Sequence, residues 1–129
     1  MSFAVKAKVG APLSVGSTIT VLEKAMYGGW KVAAGEAIFV FDSDHQGGSG
    51  LCARGVVTSV ERAPEHRWKA EILVEGTPSR PLGRTELRPY KDVDDVCPEG
   101  EIARKLYRQA TNKFIAVGDA EVAYLTSFF

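Results

Sequence analysis

Four aromatic residues, Tyr27, Trp30, Phe41 and Trp68, carry faces that can stack on a nucleobase or cage a methylated group. Trp30 follows Gly28-Gly29 in a turn, where packing gives little reason for a large ring, so it leads the ligand-binding candidates. Trp68 lies in phase with Ala70, Ile72 and Val74, and serves a core as readily as a ligand. A second chemistry sits in the stretch from Ser79 to Lys91, which sets Arg80, Arg84, Arg88 and Lys91 against the single acid Glu86. Pro81, Gly83 and Pro89 keep it extended or turned, and guanidinium groups bind phosphate oxygens through charge-assisted pairs. A solvated linker is the competing reading of that run. Arg104, Lys105 and Arg108 extend the patch if Asp92, Asp94 and Asp95 point elsewhere.

The loop from Asp42 to Gly50 invites three further readings, and each lacks a part. Asp42, Asp44, Gln46 and Gly47 match the opening of a calcium-binding loop, but Gly50 and Ala53 stand where the later ligands belong. Gly47-Gly-Ser-Gly50 has neither the lysine nor the following helix of a phosphate loop. His45 beside Ser43 and Asp44 supplies a titratable base without a nucleophile and an orienting partner at recognisable spacing. Cys52 and Cys97 are far apart, and neither His45 nor His66 falls at zinc-finger spacing. No catalytic residue, metal site or cofactor is expected, and two reduced cysteines are the simplest reading.

These residues need elements to hold them. Phe3, Val5, Ala7 and Val9 alternate with polar or small neighbours as in a half-buried strand, and Thr18 to Leu22 is β-branched and apolar. Ile38 to Phe41 is apolar on both faces, which suits the middle of a sheet. Leu51 to Val60 and Trp68 to Val74 add two more strands between turn-forming segments. From Glu101 the period changes: Ile102, Leu106, Ala110 and Phe114 are four apart, which predicts an amphipathic helix. Pro98 suits its first turn, and Gly118-Asp119 caps a further helical segment. The reading is α+β: a small antiparallel, partly closed β-barrel with C-terminal helices. One domain spans 1–129, with a strand-rich part over 1–76, an irregular segment over 77–98 and a helical tail over 99–129.

At 129 residues, with 45% hydrophobic and 25% charged, the chain matches an ordinary globular domain. Sixteen basic residues balance sixteen acidic ones, so any nucleic acid must meet a local patch rather than an overall field. No apolar run approaches the length of a membrane span. Met-Ser-Phe-Ala-Val-Lys lacks the features of a secretory signal, so a cytoplasmic protein with no membrane partner is expected.

Trp30-Lys-Val-Ala-Ala-Gly-Glu-Ala-Ile-Phe-Val-Phe41, a polar loop, and Gly50-Leu-Cys-Ala-Arg-Gly-Val-Val57 together resemble PUA-like domains, particularly the EVE type, although Glu36 replaces the usual Asp. The resemblance implies a β-barrel with peripheral helices and a pocket for a nucleobase, often a modified one. It further implies that Trp30 and Phe41 flank the pocket or support its wall, and that Asp42 and Ser43 offer polar contacts to a base edge. Trp68, Arg80, Arg84 and Arg88 have no counterpart in that pattern and stand on their own chemistry, the arginines as phosphate contacts. Three function classes follow. One is a non-catalytic reader of a modified base in RNA or DNA. Another is a small-molecule binder or enzyme using the Asp42–Gly50 loop. The last is a protein-interaction domain using Tyr124, Phe128 and Phe129.

Overall fold

The computed structural model describes residues 1–9, 13–43, 50–90, 97–108 and 111–129. Six strands close into a ring in the order β1-β3-β4-β5-β2-β6: β1 Ser2–Ala7, β2 Thr18–Ala25, β3 Ala37–Asp42, β4 Gly50–Ala63, β5 Arg67–Gly76 and β6 Lys113–Val117. Closure gives every strand a neighbour on both sides, the β2–β6 seam being short, with Lys24 opposite Lys113 and Ala25 opposite Phe114. Four pairings are antiparallel, but β1 with β3 and β2 with β6 are parallel. The barrel is therefore mixed, where turn-joined strands predict an antiparallel one.

Alternation sorts the side chains. Phe3, Val5, Val21, Ile38, Val40, Val57, Ala70, Ile72, Val74 and Phe114 fill the interior, and Val32 from the β2–β3 connection packs with them. The opposite faces of β1, β3 and β6 are also apolar apart from Lys6 and Lys113, because the C-terminal half lies over them. Ala4, Phe39, Phe41, Ile115 and Val117 meet Leu82, Leu87, Ile102, Leu106, Leu125 and Phe128 in a second cluster. This explains why Ile38 to Phe41 is apolar on both faces. Bends at Val40/Phe41, Arg54/Gly55 and Val57/Ser59 break the ladder register and let β4 curve around the ring.

The helix expected from Glu101 through Phe114 is not continuous. α2 covers Pro98–Ile102, following a one-turn α1 at Arg84–Leu87, and a π-helical turn continues it over Ala103–Tyr107. The chain then extends as β6, and α3 follows at Asp119–Thr126. Ile102 and Leu106 do point into the outer cluster, so the spacing is meaningful for its first two positions. Phe114 belongs to the barrel interior instead, since Lys-Phe-Ile-Ala-Val pairs with both β1 and β2 and completes the ring. Ring closure outweighs the local period.

Candidate nucleic-acid interface

The link from β2 to β3 is pinned along β6. The Met26 N–H donates to the Phe114 carbonyl at 2.9 Å, and the Ala116 N–H donates to the Tyr27 carbonyl at 3.1 Å. Between these anchors the backbone turns sharply, with Tyr27 at φ 50° and Gly28 at φ 82°, before a 3-10 turn over Gly29–Lys31. A positive φ costs a tyrosine free energy that the two flanking hydrogen bonds offset. Gly29 lies so close to β6 that a Cβ there would collide with the Phe114 carbonyl. The turn is thereby held in place, and two rings project from it: Trp30 is 55% exposed and Tyr27 48%. Lys24 and Lys31, before and after them in the chain, are exposed.

Beneath this turn, pairing across four strands sets a row on the outer face of the barrel. Phe41 of β3 is opposite Lys6 of β1, Lys6 is opposite Lys113 of β6, and Lys113 is opposite Lys24 of β2. Lys6 and Lys113 are each only 1% exposed. The Lys6 ammonium donates to the Leu106 carbonyl at 2.6 Å and lies 5.1 Å from the Tyr107 ring centroid. That carbonyl belongs to the π-helical turn. The Lys113 ammonium lies 6.0 Å from the Tyr27 ring, and burial pulls its pKa below the ordinary lysine value.

The other sequence candidates are distributed around this face. Phe41 is fully buried, edge-on to Tyr107 at 6.3 Å. Ser43 is buried with its N–H bonded to the Ala7 carbonyl, and an Asp42 carboxylate oxygen accepts from the Val9 N–H at 2.9 Å. Trp68 packs at the margin of the interior cluster, with the Arg62 guanidinium 5.2 Å from its ring. Arg80 is tied to the C-terminal segment: it donates to the Ser127 carbonyl and hydroxyl and stacks 4.0 Å from the Phe128 ring. Arg84 and Arg88 are exposed and, with Thr85, line a surface depression of about 340 Å³. Tyr124, Phe128 and Phe129 turn inward, Phe128 against Tyr124 and Phe129 against Phe39.

The calcium-like and His45 readings rest on residues 44–49, which lie outside the described residues, as do Lys91, Asp92, Asp94 and Asp95. Among the described residues no group of three or more His, Cys, Asp or Glu stands close enough to hold a metal ion. No described helix is long and apolar enough to cross a membrane. A second concavity, of about 380 Å³, lies between α3 and the β3–β4 face, with Phe39, Arg54, Gly55 and Glu75 in its lining. Sequence reasoning missed Lys6 and Lys113 as part of any site. The alternation of Phe114 and Ala116 with Lys113, Ile115 and Val117 in a β-branched, aromatic stretch is the signal that could have revealed Lys113.

No family model matches the chain, and no curated protein is similar to it in sequence. Solved structures do match its shape. The DUF55 domain of human thymocyte nuclear protein 1 superposes with a TM-score of 0.62 at 9% identity, over 98% of this chain and 97% of that one. Human THYN1 protein in complex with 5-methylcytosine-containing DNA superposes with a TM-score of 0.63 at 11% identity, over 98% of this chain and 95% of that one. At such identities the likeness establishes the fold: a PUA-like barrel, as the pattern from Trp30 to Val57 implies.

Proposed function

We propose that this chain is a non-catalytic module that binds nucleic acid and reads a modified base, with Trp30 and Tyr27 as its stacking face. The observation that carries the reading is the pinned turn. Exposing two large rings costs hydrophobic free energy, and Tyr27 adds backbone strain, so a stacking partner gives both features a purpose. Lys24 and Lys31 beside the rings suit the phosphates on either side of a stacked base. A neighbour of the same fold in complex with 5-methylcytosine-containing DNA supports a methylated base as the first to try. Arg84 and Arg88 are a further phosphate-binding stretch for a longer strand.

The test is a fluorescence titration with methylated and unmethylated oligonucleotides, single- and double-stranded, against the wild type and Trp30→Ala. We expect saturable binding that weakens about tenfold or more in Trp30→Ala, the worth of one base stacked on an aromatic side chain. The thermal midpoint should move by only a few degrees, because the ring is more than half exposed. Equal affinity in the variant, or its unfolding, would remove Trp30 from the site. The absence of binding by any oligonucleotide would overturn the reading itself.

A further inference from the structure

The row of three lysines is arranged unlike an ordinary charged surface. Lys6, Lys113 and Lys24 are register partners on adjacent strands, so their side chains leave the same face of the barrel side by side. Like charges placed directly opposite one another destabilise a sheet. Lys6 has the Leu106 carbonyl and the Tyr107 ring, and Lys24 is exposed to solvent. Lys113 is 1% exposed, and among the described residues its ammonium makes no hydrogen bond and no ion pair, only the contact with Tyr27.

Among the described residues no carboxylate is placed to compensate it. Glu101 is engaged by Arg104 at 2.6 Å and Lys105 at 3.8 Å. Glu23, the neighbour of Lys24, alternates to the other face and meets Arg67 and Asn112. An enclosed lysine whose ammonium meets no anion among the described residues is costly, whereas a methionine would fill the same volume without that cost. What the position lacks among the described residues is an anionic oxygen. The half-exposed Tyr27 ring, on the same turn as Trp30, covers it.

We propose that Lys113, flanked by Lys24 and covered by Tyr27, is a phosphate subsite holding the backbone phosphate next to the base stacked at the Trp30 turn. The assignment rests on the nucleic-acid reading and adds a contact that positions the strand without reading sequence. Such a contact weakens all oligonucleotides alike when it is lost, and takes about one unit from the dependence of log affinity on log salt.

The experiment titrates the wild type, Lys113→Met and Lys113→Arg with a methylated oligonucleotide and its unmethylated twin over a series of salt concentrations. Lys113→Met is expected to weaken both about tenfold, the value of one charge-assisted hydrogen bond, with their ratio unchanged and the salt slope reduced by about one. Lys113→Arg should restore the slope. Inorganic phosphate should compete in the wild type beyond chloride at equal ionic strength, and lose that advantage in Lys113→Met. The Lys113→Met thermal midpoint should equal or exceed the wild-type value. Binding with an undiminished slope would overturn the subsite and leave the reader standing. A melt well below wild type would make the amine a structural group and overturn it too. A wild type that binds neither oligonucleotide would overturn both proposals together.

Discussion

Cys52 sits in the barrel wall with its Sγ 3.4 Å from the Val40 carbonyl, and burial, aided by the charge of Asp42, pushes its pKa up to about 12. At neutral pH the thiol is protonated and unreactive, since the thiolate is the nucleophile. Iodoacetamide at pH 8 is therefore expected to leave Cys52 unlabelled until urea unfolds the chain; rapid labelling of the native protein would contradict this burial. The same shift sets a pH dependence. The folded thiol holds its proton above the ordinary value of 9.0, so its contribution to stability is complete below that value and is lost as pH rises toward 12. Burial raises Tyr124 to about 12 in the same sense, and the urea midpoint should fall between pH 9 and 12, less steeply in Cys52→Ala. Trp30 was legible as a candidate because a Gly-Gly pair before a large ring is a local signal. Lys113 was not, because its meaning depends on partners more than a hundred positions away in Lys6 and far upstream in Lys24.

At the scale of elements, the strands of the first half were readable because each either alternates within itself or, like Ile38 to Phe41, is a short apolar run, and neither signal needs knowledge of its neighbours. β6 was hidden because two positions of α2 and the π-helical turn, Ile102 and Leu106, share a four-residue spacing with Phe114 by coincidence. What turns that segment into a strand is the open ring it completes, which is a property of the assembled barrel. The parallel pairings are hidden for the same reason. The β2–β3 link depends on β6 in turn, and Gly29 is the point of closest approach. Gly29→Ala forces the turn away from the Phe114 carbonyl and is expected to cost about 2–4 kcal/mol, within the range of severe single substitutions. Urea unfolding should record that loss, and oligonucleotide binding should fall with it, because Trp30 moves with the turn. A variant as stable as the wild type would show that the turn is not pinned.

Across the whole molecule, sixteen positive and sixteen negative charges leave no net field to gather a polyanion. Binding must then come from a few placed contacts, and their number is measurable. Lys24, Lys31 and Lys113 beside the stacking rings amount to about three phosphates, which gives a slope of log affinity against log salt of about −2 to −3. A module built on a broad basic surface, with six or more phosphate contacts, would lie at about −4 to −5 or steeper by the same relation. The two outcomes separate the Trp30 turn from the arginine stretch. A shallow slope places the strand at the turn, where affinity derives mainly from stacking and a single methyl group can alter the total by a noticeable fraction. A steep slope would mean that Arg84, Arg88 and their neighbours carry the strand, and that base discrimination is small against a large sequence-independent attraction. The charge balance favours the first, since the sixteen acids of the chain oppose the approach of a long strand as much as its sixteen bases favour it.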